Sequence, residues 1–235
     1  MNEDKIALII PAGGIGVRLK ERLNGESKQF TKIGNKTILE YTLDKFYSFV
    51  KIKECIIVIP AEIPSEVSLS LTKKYPGIKV VCGGATRQDS VKNGLDNLSL
   101  SDGIVIIHDA VRPFFSKEQI DNTISAAKTW GAAVLGVKAK DTIRLADDNN
   151  FSKKTLNRKK IWLIQTPQIF KIDLIRRAYK HAYANNIVGT DDAYLVEELG
   201  ERVALVEGEY SNIKITDPFD MIIAEAIVRR GDCPI

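Results

Sequence analysis

Strand-length runs of isoleucine, valine and leucine recur along this chain, each divided from the next by a segment of helix length. The runs occupy 6–10, 55–59, 78–82, 104–107 and 132–137, with amphipathic segments at 37–50, 62–75, 87–98 and 116–129 between them. A strand that is apolar at every position, rather than at alternate ones, must be covered on both faces. Strand and helix in alternation therefore predict an α/β fold: a Rossmann-like, mostly parallel sheet with helices on both faces. Ligands in such sheets gather at the carboxyl ends of the strands. That rule singles out 11–16, 83–87 and 108–113, all of them polar, glycine-containing or charged.

The 235 residues read as a single domain over 1–235, without internal repeat or low-complexity segment. Residues 138–165 break the alternation. Lys138-Ala139-Lys140-Asp141-Thr142-Ile143-Arg144 and Ile161-Trp162-Leu163-Ile164-Gln165 flank a stretch rich in Asp, Asn and Lys. The pattern is that of a hairpin-like excursion, a β-arm serving either as a mobile loop or as a dimerisation element. Beyond it come helices near 171–185 and 191–199, a strand at 203–206 and a last helix near 217–229. Asp217-Pro218 supplies the N-cap and first position of that last helix.

Composition excludes several classes of function. A net charge of +4, dispersed along the chain, gives no footprint for nucleic acid. The longest apolar runs are strand-sized, too short to span a membrane. Met1-Asn2-Glu3-Asp4 leads directly into the first strand, which leaves no room for a signal peptide. Cys55, Cys82 and Cys233 lack metal spacing, and two histidines are too few for an ordinary zinc site. The expectation is a cytoplasmic protein.

After the first strand the chain reads Pro11-Ala12-Gly13-Gly14-Ile15-Gly16-Val17-Arg18, and a polar loop then ends in Lys28-Gln29-Phe30. Glycines let backbone N–H groups converge on one anion, and Arg18 and Lys28 bracket the loop with fixed positive charge. The Walker loop is ruled out because Gly16 is followed by Val17-Arg18 rather than Lys-Ser/Thr. The dinucleotide pattern fails at Leu19, where its third glycine belongs. What remains is a cradle for a polyphosphate.

Pro-Ala-Gly-Gly-x-Gly-x-Arg with a downstream Lys-Gln-Phe resembles the nucleotidyltransferases that activate sugars and sugar alcohols. Further phrases carry the resemblance in order: Gly83-Gly84-Ala85-Thr86-Arg87-Gln88-Asp89-Ser90-Val91, His108-Asp109-Ala110-Val111-Arg112-Pro113, Asp141-Thr142-Ile143-Arg144, Asn157-Arg158, Thr166-Pro167-Gln168-Ile169-Phe170, Thr190-Asp191-Asp192-Ala193 and Asn212-Ile213-Lys214-Ile215-Thr216. Together they are similar to the 2-C-methyl-D-erythritol 4-phosphate cytidylyltransferase family. Two departures stand out. The first loop has Ala-Gly-Gly where that family usually has Ala-Ala-Gly, and Gly-Gly is commoner in the ribitol 5-phosphate relatives. Arg18 and Lys28 are also further apart than usual, although Arg18, not Arg22, keeps the spacing from the glycines.

The resemblance implies a nucleotidyltransferase fold and transfer of CMP from CTP to a polyol phosphate, methylerythritol phosphate ahead of ribitol 5-phosphate, with release of pyrophosphate. A nucleotide-binding regulator without turnover is the alternative from another class. Arg18 and Lys28 become the catalytic pair, stabilising charge on the transferred phosphorus. Pro11, Ala12, Gly13, Gly14, Gly16, Gly83, Gly84, Ala85, Ser90, Asp109, Ala110 and Lys214 become the CTP site. Small residues at 83–85 would let backbone groups bond a flat base edge, or form a plain strand-to-helix turn capped by Thr86. Asp109, Thr142, Arg158, Thr166 and Lys214 become the acceptor site, Thr142 and Arg158 reaching into a neighbouring subunit of a homodimer. Mg2+ is expected on the CTP phosphates, Asp109 being the carboxylate able to approach it. His108 and Arg112 read as framework, and Asp191 and Asp192 as the cap of a helix beginning at Ala193.

Overall fold

Every residue of the first strand from Ile6 to Ile10 is buried, and its two faces pack into two different cores. In the computed structural model of the chain, which describes residues 5–13, 28–61 and 65–230, this strand is β1 (Ile6–Pro11). A hairpin of β2 (Lys32–Ile33) and β3 (Lys36–Thr37) leads to α1 (Ile38–Phe49), β4 (Glu54–Ile59), α2 (Ser65–Lys74) and β5 (Ile78–Cys82). Then come α3 (Arg87–Asp96), β6 (Ile104–Ile107), α4 (Lys117–Trp130) and β7 (Ala132–Lys138). An outlying hairpin, β8 (Arg144–Ala146) and β9 (Ser152–Thr155), precedes β10 (Trp162–Lys171). The chain closes with α5 (Ile172–Ala184), α6 (Asp192–Glu198), β11 (Ala204–Glu207) and α7 (Pro218–Arg229).

The main sheet has seven strands in the order β11-β7-β10-β6-β1-β4-β5. Neighbours pair in parallel except β10, which runs antiparallel to both β6 and β7. Side-chain alternation sends Leu8, Ile10, Ile57 and Ile106 to a core under α1, α2 and α4. Ala7, Ile9, Ile56, Val58 and Ile107 go to a second core under α3, α5 and α6. Full burial of one such aliphatic side chain is worth about 1.5–3 kcal/mol, so neither face of these strands has room for a polar residue. A third, smaller core joins Ile33, Ile38, Phe114 and Ile215 to Ala224 of α7.

The helices start where capping chemistry permits. Thr37 with Glu40, Thr86 with Asp89, Ser116 with Gln119 and Asp217 with Asp220 each form a reciprocal capping box. Pro218 takes the first helical position of α7, as expected. At Gly94, where α3 crosses β1, a Cβ would come within 2.7 Å of Ile9 Cγ2, so only glycine lets helix and sheet approach this closely. Among the described residues no helix is long and apolar enough to cross a membrane.

The excursion is narrower than 138–165. Lys138 and Trp162 still pair within the main sheet, so the part that leaves it lies between them. At its tip β8 and β9 pair only with each other. Leu145 and Phe151 are exposed there, as is Leu163 at the base of the arm.

Candidate active site

Three strand-end loops meet above β1, β5 and β6, and a fourth segment from the C-terminal part closes them off. In the first loop the Ala12 N–H donates to Val58 O at 2.7 Å, and the amide of buried Gln29 donates to Ala12 O. Gln29 lies in the 3-10 turn Lys28–Phe30, so its anchorage also places Lys28 at the cleft.

The second loop follows β5. Gly83 N–H donates to Ile59 O at 2.7 Å, and Thr86 caps α3. The Ser90 hydroxyl accepts from Gly84 N–H at 3.2 Å and donates to Thr86 O at 2.9 Å. A Cβ at Gly83 would lie 3.1 Å from that hydroxyl oxygen, and one at Gly84 would overlap Asp89 Cβ at 2.2 Å. The loop thus presents backbone rather than side chains, because side chains at Gly83 and Gly84 would crowd Ser90 and Asp89 of α3.

The third loop carries Asp109, nearly buried, its N–H donating to Thr166 Oγ1 at 3.1 Å. The fourth segment brings Lys214 alongside. Ile215 N–H donates to Val111 O at 2.9 Å, Arg112 Nη1 donates to Asn212 O at 2.8 Å, and Asn212 Nδ2 donates to Thr166 O at 3.0 Å. These bonds fix the lysine's backbone against the loop that bears the carboxylate.

The four segments, together with Pro60 and Ala61 after β4, line a cleft of about 640 Å³. Asp109 stands at the centre of its electrostatics: Lys214 Nζ lies 2.8 Å from Oδ2, Arg87 Nε 3.4 Å from Oδ1 and Arg112 Nε 3.5 Å from Oδ2. Burial alone would push the Asp109 carboxyl up, but Arg87, Lys214 and Arg112 outweigh it and hold it well below the usual carboxylate range. The charged residues among the described lining are three cations, Lys28, Arg87 and Lys214, and one carboxylate, Asp109, an excess of positive charge suited to a polyanion.

His108 is framework. Its ring is wholly buried and stands edge-on to Phe46 and Phe115, with centroids 4.9 and 4.8 Å away. Nε2–H donates to Arg112 O at 2.9 Å, and Nδ1 has no partner among the described residues. Burial pulls the imidazole pKa down to about 3, so the ring stays neutral. The unfolded chain takes up this proton near pH 6.5, so the stability due to His108 is complete above that pH and is lost as pH falls towards the folded value. Urea unfolding should show a loss of about 2 kcal/mol from this residue between pH 7.5 and pH 5. His108→Gln, which cannot titrate, should flatten that slope; an unchanged slope would refute the assignment.

Of the residues expected from sequence, Pro11, Ala12, Gly13, Lys28, Gly83, Gly84, Ala85, Ser90, Asp109, Ala110 and Lys214 line this one cleft. Gly14, Gly16 and Arg18 lie outside the described residues. Thr166 is buried behind Asp109 rather than on the cleft wall. Thr142 and Arg158 are exposed on the arm and are not among the residues lining the cleft, Arg158 donating to Lys140 O. The helix expected from Ala193 starts at Asp192 instead. Asp191 alone caps it, accepting from Tyr194 N–H at 2.9 Å, and Asp192 turns inward to Arg87.

Sequence reasoning gives no role to Arg87 within Gly83–Val91 or to Gln29 within Lys28-Gln29-Phe30, yet both hold the site together. The clue to Arg87 was an arginine directly after a strand-end loop. Its partner Asp192 lies 105 positions away, beyond any local pattern.

Comparison with known proteins identifies the family. Residues 6–230 match the family model described as 2-C-methyl-D-erythritol 4-phosphate cytidylyltransferase. The chain is 42% identical over 231 residues to the protein of that name from Syntrophus aciditrophicus (strain SB), covering 97% of each. It is 42% identical over 224 residues to the one from Clostridioides difficile (strain 630), covering 94% of this chain and 93% of that relative. Among solved structures, 4-diphosphocytidyl-2C-methyl-D-erythritol synthase from Anaerococcus prevotii DSM 20548 superposes with a TM-score of 0.85 at 36% identity, covering 97% of each chain.

Proposed function

The chain belongs to the 2-C-methyl-D-erythritol 4-phosphate cytidylyltransferase family, and from that premise we propose how its strand-end cleft carries out the reaction. The activity is transfer of CMP from CTP to 2-C-methyl-D-erythritol 4-phosphate, giving 4-diphosphocytidyl-2-C-methyl-D-erythritol and pyrophosphate for isoprenoid synthesis. An acceptor phosphate oxygen attacks the α-phosphorus, and the bond to the bridging oxygen of pyrophosphate breaks.

The single observation that carries the mechanism is the convergence of Lys28, Arg87, Asp109 and Lys214 on one cleft beside a loop walled by backbone. Two anions must be brought together, so positioning and cationic stabilisation matter more than a general base. The acceptor phosphate is already ionised near neutral pH and supplies its own nucleophile. Backbone groups at 83–85 bond the cytosine edge, and Ser90 holds their shape. The N–H groups of the first loop hold phosphates, and Lys28 with Arg18 offsets charge on the α-phosphoryl group in the transition state. Asp109 holds Lys214 where it meets the acceptor phosphate.

Asp109 is the one carboxylate among the described lining residues, and three cations already engage it. A carboxylate so occupied has little capacity left for a metal, so Mg2+ would be carried mainly on triphosphate oxygens, Asp109 being the one described lining carboxylate able to approach it. When bound, the ion would neutralise phosphate charge.

A two-fold dimer completes the reading, in the cytoplasm where CTP is held. It is supported by the exposure of Leu145 (52%), Phe151 (71%) and Leu163 (51%) on the arm, apolar surface that a lone chain leaves wet. It is supported too by the place of Thr142 and Arg158, on that arm rather than among the residues lining their own chain's cleft.

Pyrophosphate release tests the assignment. CTP should be used well ahead of ATP and GTP, because the opening between Gly83 and Ser90 suits a pyrimidine, and ahead of UTP, as membership of a cytidylyltransferase family implies. With CTP, methylerythritol phosphate should be turned over well ahead of ribitol 5-phosphate. Comparable rates with purine nucleotides, or with ribitol 5-phosphate, would contradict it.

A further inference from the structure

Asp192 is fully buried although the helix it begins is already capped by Asp191. Its Oδ2 accepts from Arg87 Nη2 at 2.8 Å, and its Oδ1 accepts from the hydroxyl of Tyr179, itself buried on α5. Arg87 in turn presents Nε to Asp109, whose other oxygen holds Lys214. Tyr179, Asp192, Arg87, Asp109 and Lys214 thus form one continuous line of charged and polar contacts, running from the core under α5 into the cleft.

We propose that Asp192 is a positioning residue for CMP transfer: acting through the Arg87 guanidinium, it fixes the orientation of Asp109 and hence of Lys214. The inference rests on the function assigned above to the cleft.

Three considerations carry it. A guanidinium is planar with its donors in a fixed fork, so anchoring Nη2 determines where Nε points. The anchor is itself held independently of Arg87. Gln88 bonds both Ile187 O, at 3.1 Å, and Gly189 N–H, at 2.9 Å; Gln168 bonds Asp191 Oδ2, at 2.8 Å, and Ala193 N–H, at 3.1 Å. The loop around Asp192 is therefore pinned from α3 on one side and β10 on the other. Finally, stability gives no reason for the arrangement, since a buried ion pair is often no more stabilising than apolar packing of the same volume. An orienting role does give one. Arg87 also sits at the first position of the helix that follows the nucleotide loop, so the same contact ties that loop to the acceptor end of the cleft.

The test is steady-state kinetics of the full chain with CTP and 2-C-methyl-D-erythritol 4-phosphate, with folding checked by circular dichroism. Asp192→Asn should lower kcat roughly 10–100-fold while the CTP dissociation constant, measured by calorimetry, moves less than about threefold. Arg87→Gln should be similarly slow. Because the two residues act as a unit, the double variant should be about as slow as Arg87→Gln alone. A folded Asp192→Asn with kcat within about threefold of wild type, or losses that multiply in the double variant, would overturn the proposal. Should Asp192→Asn not fold, Tyr179→Phe removes only the hydroxyl behind Asp192 and should lower kcat roughly 3–10-fold; an unchanged kcat there overturns it equally. A wild-type chain that makes no product would instead bring down the functional assignment, and this inference with it.

Discussion

Lys28→Ala should lower kcat by roughly 10²–10³, the usual cost of removing one donor aimed at charge that develops in the transition state. CTP binding should suffer less, because the proposed mechanism takes the base and most phosphate contacts from backbone at 83–85 and in the first loop. The position is well held. Gln29 beside it is 1% exposed and bonded to Ala12 O, and Thr31 N–H donates to Lys28 O at 3.2 Å. A lysine whose backbone is fixed at the cleft needs little reorganisation as negative charge grows on the α-phosphoryl group. Steady-state kinetics separate the cases: a fall in kcat and kcat/KM together marks a transition-state contact, whereas a rise in KM alone would make Lys28 an ordinary phosphate binder. Near-normal turnover would remove Lys28 from the mechanism.

A mixture of two inactive variants should regain activity. If the arm delivers Arg158 to the partner's cleft, Lys28→Ala and Arg158→Ala lie in different chains of the same site. A mixed dimer then has one site with both lesions and one wholly intact. Co-expression in equal amounts makes about half the dimers mixed, so roughly a quarter of wild-type sites should return. If Arg158 served its own chain, every site in every dimer would carry one lesion. Purified mixed dimers as inactive as either parent would eliminate the shared site.

The parts of this molecule legible in its sequence are those governed by local rules. An apolar run such as 6–10, short and alternating with helix-length segments, reads as a doubly covered strand, and the strand-end rule then places Gly13, Gly83 and Asp109 together. Asp217-Pro218 announced α7 because capping depends only on neighbours. Strand β10 was not legible as one element. Ile161-Trp162-Leu163-Ile164-Gln165 read as a leg of the arm and Thr166-Pro167-Gln168-Ile169-Phe170 as a binding segment. The two are one strand lying antiparallel between β6 and β7. Gln165 and Gln168 are nearly buried in it and would argue against a core strand, except that Glu209 O, Asp191 and Ala193 N–H satisfy their amides. Partners so distant in sequence leave no local signal. The same holds for Asp192, whose neighbour Asp191 carries the ordinary capping role and whose own partners, Arg87 and Tyr179, are found only in the folded chain.

Phosphorus NMR of the purified chain with CTP, Mg2+ and 2-C-methyl-D-erythritol 4-phosphate tests the central claim most directly. Transfer of CMP within the cleft predicts that the acceptor's phosphomonoester signal and the triphosphate signals disappear together. In their place a coupled diphosphate pair and a pyrophosphate signal should grow in equal molar amounts, and Asp109→Asn should slow both alike. CTP consumed while the acceptor signal persists would make the protein a hydrolase, and CTP bound without any change in the spectrum would make it a silent nucleotide-binding protein. Either spectrum would contradict the account.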